Sequence, residues 1–194
     1  MFKILLNYMS DFTLISEDEQ RAIIESLHIE VYKKGKYLLR QGELSTIKCY
    51  FVLEGCVRQF FIDESGKEVT SNFYTEEQAI LIINEQTHGD LSKYSLVCVD
   101  DCTLVIGDVV SEKAMFSKYP QLETMIRKMM EISIGEMQEQ FGEFINSSPE
   151  ERYETVLMKR PQLIERVPQH QLASYLGLTP ESLSRIKKRI NNKK

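Results

Sequence analysis

A chain of 194 residues has room for one domain of ordinary size plus a smaller one, and 42% hydrophobic with 27% charged residues excludes disordered and fibrous classes. No apolar run is long enough to span a bilayer. The net charge of −5 argues against a polyanionic partner for the whole chain, but residues 166–194 carry seven basic side chains against the single acid Glu181, net +6, which leaves −11 on the other 165 residues.

Taken in chain order, the N-terminal MFKILLNYMSDF has one lysine and a short apolar run without a small-residue cleavage site, so it is expected to be mature, cytoplasmic sequence. Ser16-Glu17-Asp18-Glu19 has the form of a capping box and predicts a short helix with Ile23, Ile24 and Leu27 on its apolar side. From Ile29 to about Asp108 the pattern changes to short β-rich runs: Tyr37 to Leu39, Tyr50 to Leu53, Val57 to Ile62, Val69 to Tyr74, Tyr94 to Val99 and Thr103 to Ile106. Strands this short at regular intervals predict a compact barrel or roll, with a hairpin at VRQFFID-ESG-KEVTSNFY turned at Gly66.

After Asp108 the sequence becomes helical. Pro120 suits the first turn of a long helix reaching about Asn146. Leu122, Ile126 and Met129 follow a coiled-coil spacing, as do Met137, Phe141 and Phe144, with an eight-residue step between the sets. A second apolar side (Met125, Met130, Ile132, Ile134, Ile145) leaves more surface than one β-domain can cover, so pairing with a second copy is expected, with Leu122, Ile126, Met129, Met137 and Phe141 as dimerisation residues. Ser147-Ser148-Pro149 breaks the helix. The expected division is therefore 1–146, including a dimerisation helix at about 119–146, and 147–194. A further helix is expected from Glu150 to Met158, with Pro161 and Pro168 punctuating the approach to the last two.

Cys49, Cys56, Cys98 and Cys102 form no C-x-x-C pair and have no nearby histidine, so they read as buried free thiols and no metal is expected. Cys98 and Cys102 are read within an apolar, strand-like run. His28, His88 and His170 are scattered without a nucleophile or paired carboxylate in recognisable spacing, so no enzyme activity is expected.

The segment QHQLASYLGLTPESLSRIKKRI accounts for itself position by position. Leu172 and Leu176 share a helical face, small Ala173 permits close approach, and Gly177 suits the left-handed end of a helix. Thr179 is a good N-cap with Pro180 at the first helical position. Leu183, Ile186 and Ile190 face inward, while Glu181, Arg185, Lys188 and Asn192 face outward with Ser182, Ser184 and Arg189 at the flanks. This coincidence predicts a DNA-reading helix-turn-helix from Val167 to Ile190, with Thr179, Glu181, Ser182, Ser184, Arg185, Lys188 and Arg189 as contact residues. Basic side chains would neutralise phosphates, while Glu181 would accept from cytosine and Arg185 would grip guanine.

VYKKGKYLLRQGE (Val31 to Glu43), YFVLEGCVRQFF (Tyr50 to Phe61), SGKE (Ser65 to Glu68) and DDCTLVIGD (Asp100 to Asp108), together with that C-terminal segment, resemble the cyclic-AMP receptor protein and FNR (CRP/FNR) family of bacterial transcription regulators. The resemblance implies an α+β protein: an N-terminal cyclic-nucleotide-binding-type β-roll (double-stranded β-helix or jelly roll), a long dimerisation helix and a C-terminal all-α helix-turn-helix. It implies a cytoplasmic homodimer on a pseudo-palindromic site in double-stranded DNA, with RNA polymerase as a candidate partner, no membrane association and a small-molecule effector of unknown identity, if there is one. Glu181 and Arg185 match the family's base-reading pair; Pro180 stands where its best-known members have Arg. The family's Gly-Glu pair for ribose and phosphate aligns near Leu81 and Ile82, and its phosphate-binding Arg near Ser92 beside Lys93, so all three ligand residues are missing. Gly89-Asp90, the only local glycine–acid pair, is too close to Ser92 to serve. The expectation is that cyclic AMP does not bind and that no cofactor is held.

Overall fold

The computed structural model of the chain describes residues 5, 9–10, 15–44, 48–82 and 91–192. Helix α1 (Glu17–Ser26) begins where expected, with Ser16 Oγ accepting from Glu19 N–H and the Glu19 carboxylate accepting from Ser16 N–H at 3.2 Å, the reciprocal capping box. Eight strands follow: β1 (His28–Tyr32), β2 (Tyr37–Leu39), β3 (Lys48–Glu54), β4 (Val57–Ile62), β5 (Glu68–Tyr74), β6 (Ala79–Ile82), β7 (Ser95–Cys98) and β8 (Cys102–Asp108). They form two four-stranded antiparallel sheets, ordered β1-β8-β3-β6 and β2-β7-β4-β5. The two sheets face each other as a roll. Inward alternation makes its core: Tyr50 and Val52 from β3, Ile80 and Ile82 from β6, Leu96 from β7 and Leu104 from β8.

Six strands fall on the runs read from sequence; β1 and β6 were not separated out. The Tyr94 to Val99 and Thr103 to Ile106 runs are two strands joined by the turn Val99-Asp100-Asp101, so Cys98 and Cys102 end one strand and begin the next rather than sharing an apolar run. Two aspartates are what make the bend. No disulfide joins the four cysteines; Cys56, Cys98 and Cys102 are buried and Cys49 is half-buried, a correction to the expectation for that residue.

Helix α2 (Val109–Lys118) leads into α3 (Pro120–Asn146), whose first proline sits at the start as expected. Leu122 and Met125 pack with Ile23, Ile24 and Leu53, so the start of α3 and α1 together cover one face of the roll. Ser147 breaks the chain, and Ser148 opens α4 (Pro149–Lys159) with a second reciprocal capping box to Glu151. Short α5 (Gln162–Arg166), α6 (Gln169–Tyr175) and α7 (Pro180–Asn191) complete the chain. Their core of Leu163, Leu172, Leu176, Leu183 and Ile186 is continuous with Cys56, Phe73 and Val99 of the roll. The α+β class and the order of parts, roll, long helix, helical C-terminal part, agree with the reading of the sequence. Among the described residues no helix is long and apolar enough to cross a membrane.

Candidate nucleic-acid interface

The C-terminal helical hairpin is built by local chemistry. At the end of α6, Gly177 takes φ +70°, Leu178 N–H donates to the Ala173 carbonyl at 2.8 Å and Gly177 N–H to the Ser174 carbonyl at 3.1 Å. These two bonds make a Schellman motif, which satisfies carbonyls that the helix leaves open. A side chain at Gly177 would be strained by that φ and would also meet Arg152 Nη1 at 3.3 Å. Thr179 then caps α7, its Oγ1 accepting from Ser182 N–H at 3.2 Å. Leu183, Ile186 and Ile190 are buried against α6.

The opposite side of α7 is open. Glu181, Arg185, Lys188 and Arg189 are exposed, and Ser182 and Ser184 are half-buried at its edges. Glu181 is held below the usual carboxylate range by hydrogen bonding to its own N–H, then by Thr179 and by the Arg185 charge, so it is an acceptor at neutral pH. Arg189 is partly engaged elsewhere, with Nη2 3.4 Å from Glu150 Oε2 on α4. Lys187 lies over the Tyr153 ring at 5.8 Å. Arg166, counted among the basic C-terminal residues, turns away from this face and pairs with the roll's Glu76 and Asp100. Lys193 and Lys194 lie outside the described residues. The open basic face is thus narrower than charge counting implies and centres on Arg185 and Lys188.

None of the aligned ligand positions carries a carboxylate or a guanidinium. On β6, Leu81 is exposed and Ile82 is buried in the roll core. The Ser92 hydroxyl donates to the Tyr94 carbonyl at 2.7 Å, and Lys93 is exposed. His88 and Gly89-Asp90 lie outside the described residues. A cavity of about 270 Å³ opens instead between the roll and the hairpin, lined by Tyr37, Arg58, Phe60, Glu68, Pro168 and Gln171; none of the four aligned positions borders it. Inside its wall Arg58 is buried, with Nη1 2.6 Å from Glu68 Oε2 and Nε 2.9 Å from Thr70 Oγ1. Of the other two histidines, His28 Nε2 lies 3.0 Å from Glu30 Oε1 and His170 is exposed.

The proposed dimerisation residues divide. Leu122 is buried within this chain, and Ile126 and Met129 pack against the same cluster, whereas Met137 and Phe141 are each 66% exposed. Met130, Ile132, Ile134, Phe144 and Ile145 are exposed as well. Sequence reasoning missed Arg152, which joins the ends of two elements: Nε donates to the Phe144 carbonyl at 3.0 Å, Nη1 to the Leu176 carbonyl at 3.2 Å, and the guanidinium lies 3.8 Å from the Phe144 ring centre. It also missed Arg160 and Ser174. No local signal marks them, because their partners are backbone groups far away in sequence.

Two antiparallel sheets closed into a roll, followed by a long helix and a compact helical hairpin, define a β-roll with an appended helical unit. Residues 29–125 match the model of the cyclic nucleotide-binding domain, and the chain belongs to that family. Its fold is that of solved regulators. It is similar to the c-di-GMP-responsive global regulator CLP from Xanthomonas campestris (TM-score 0.68, 14% identity, covering 92% of this chain and 93% of that one). It is also similar to FixK2 from Bradyrhizobium japonicum (0.66, 17%, 86% and 85%) and to a CooA mutant from Carboxydothermus hydrogenoformans (0.65, 14%, 97% and 84%). No curated protein matches the sequence.

Proposed function

We propose that the chain is a DNA-binding transcription regulator of the CRP/FNR type, a homodimer on a pseudo-palindromic site. In this reading residues 147–194 bind DNA and residues 1–146 form the sensor-like part and the dimer. The observation that carries it is the exposed Glu181, Arg185 and Lys188 face on a helix whose start and entry turn are fixed by Thr179 and Gly177. A carboxylate and a guanidinium one helical turn apart suit base edges in a major groove, and Lys188 with Arg189 suits the flanking phosphates. Thr179, Ser182 and Ser184 would bond the backbone near the helix start. The exposed Met137, Phe141 and Ile134 supply the apolar surface for a second copy, which would set two recognition helices about one turn of DNA apart. The same reading makes it a cytoplasmic bacterial protein, without enzyme activity, that acts on RNA polymerase.

The effector of this regulator is not cyclic AMP, and the roll works either with another small molecule or with none. Support comes from Leu81, Ile82 and Ser92, which offer neither the acidic nor the guanidinium group a cyclic phosphate requires. Isothermal titration should show no heat of binding with cyclic AMP; micromolar binding would overturn this part.

Selection of duplexes from a random library tests the whole. A palindromic consensus should emerge, with affinity falling steeply as salt rises. Glu181→Ala and Arg185→Ala should each cost about 1–3 kcal/mol of discrimination at one position of each half-site. Failure to enrich any sequence would favour a non-DNA scaffold that uses the basic hairpin on another acidic partner.

A further inference from the structure

The helical hairpin does not hang freely from the end of α3. Strand β5 is the outer strand of its sheet, so among the described residues one side of its backbone has no strand to pair with. The C-terminal helical part fills that side: Thr70 N–H donates to Ser174 Oγ at 2.9 Å, Ser174 Oγ donates to the Glu68 carbonyl at 3.3 Å, and Arg160 Nη2, at the end of α4, donates to the Phe73 carbonyl at 2.6 Å. The Tyr175 ring packs edge-on against Phe73, with centres 5.4 Å apart.

At one end of this seam Arg166 reaches across to two carboxylates. Its Nη1 lies 2.9 Å from Glu76 Oε2, and its Nε and Nη2 lie 3.0 and 2.9 Å from Asp100 Oδ2. Both carboxylates are themselves tied to one turn of the roll: Glu76 Oε1 accepts from Gly55 N–H at 2.9 Å, and Asp100 Oδ1 accepts from Cys56 N–H. Only glycine fits that turn, because Gly55 has φ +107° and a Cβ there would stand 2.6 Å from the Asp101 carbonyl oxygen. Two fixed acceptors and a planar fork with donors on two edges define one orientation of the arginine, which a lysine cannot reproduce. The group is partly shielded, with 23% of the Arg166 side chain exposed, so salt screens it less than an open surface pair.

We propose that Arg166 is a positioning residue for DNA recognition, a two-carboxylate latch that sets the angle of the hairpin on the roll and hence the half-site spacing the dimer accepts. The inference rests on the DNA-binding reading and adds what fixes its geometry. Helix α7 is buried against α6, α6 is seated on β5, and the roll holds the start of α3, so the direction of the recognition helix is inherited through this seam. Arg152 supplies a second attachment at the far end of α3. Without Arg166 the hairpin keeps that attachment and its Ser174 and Tyr175 contacts on β5, and its angle on the roll is no longer fixed by the two carboxylates.

The test uses the full-length protein and duplexes carrying the selected half-sites at spacings varied in single-base-pair steps. Wild type should prefer one spacing. Arg166→Gln should weaken binding there by about tenfold, within the range for coupled contacts, and flatten the preference. Arg166→Lys should restore affinity in part but not the spacing preference. Glu76→Gln with Arg166→Gln should be no worse than Arg166→Gln alone. Hydrogen exchange without DNA should quicken in residues 68–76 and 166–176 of Arg166→Gln while its circular dichroism is unchanged. A uniform loss of affinity with the spacing preference intact, or unchanged exchange, overturns the latch. Wild type binding no duplex overturns the DNA reading and the spacing role together, whereas wild type selecting a spacing that Arg166→Gln also selects overturns this inference alone. If Arg166→Gln fails to fold, Glu76→Gln and Arg166→Lys carry the same comparison.

Discussion

The two ends of α3 carry the same kind of apolar spacing and meet different surroundings. Near its start Leu122 and Met125 are buried against α1 and the roll, while from Met130 onward the apolar side chains stand in solvent. Periodicity reports that a helix has an apolar side, and says nothing about whether that side is covered by the same chain or by another. The difference separates residues whose loss damages the fold from residues whose loss would damage the proposed assembly.

The largest effect is expected at the covered end. Leu122→Ala should cost about 2–5 kcal/mol through lost burial and the cavity left behind, read as a fall in the denaturation midpoint at any protein concentration. At the exposed end, Met137→Glu together with Phe141→Glu should leave helix content intact yet convert the proposed dimer to monomer in sedimentation, and affinity for the proposed DNA site should fall by at least about tenfold as the second half-site is lost. Equal stability losses for the two variants would remove the contrast. The smallest and most diagnostic change is Gly135→Ala or Gly142→Ala, where an added Cβ meets nothing within 4 Å. In a solvated helix each should stabilise by about 0.5–1 kcal/mol, whereas a helix of a second copy packed closely against these glycines would reverse the sign.

Acid adds a further check on the other junction of the molecule, the seam held by Arg166. Burial pushes the Glu76 carboxyl up, but hydrogen bonds from Arg166 and from the Glu76 and Gly55 N–H groups outweigh it and leave it below the usual range. A carboxyl with a lowered folded pKa contributes stability in full above its unfolded value and loses it as the pH falls through the lowered one. Hydrogen-exchange protection in residues 68–76, taken relative to the intrinsic rate at each pH, should therefore fall only below the ordinary range of glutamate, and Glu76→Gln should reduce that pH dependence.

What was legible in the sequence was local. Ser16 with Glu19, the Gly66 hairpin, Pro120 and the run from Leu172 to Ile190 each declare their structure through neighbours within a few positions, and each folds as read. Strand β6 escaped because Ala79-Ile80-Leu81-Ile82 is four apolar-leaning residues whose alternation appears only when β3 pairs beside them. The turn between Cys98 and Cys102 was smoothed over although Asp100 and Asp101 mark it. Arg166 was grouped by charge with residues that face outward, since a sum of charges carries no direction. Its partners lie 66 and 90 positions away, beyond any local pattern.

The seating of α6 on β5 also bears on how the roll behaves by itself. A shortened chain ending near Asn146 would lose Ser174, Tyr175 and Arg160 together and present the outer strand as an open row of donors and acceptors beside the bared Phe73. Such an edge recruits other strands, so the isolated roll should be prone to aggregate, and the C-terminal helices double as a guard against misassembly.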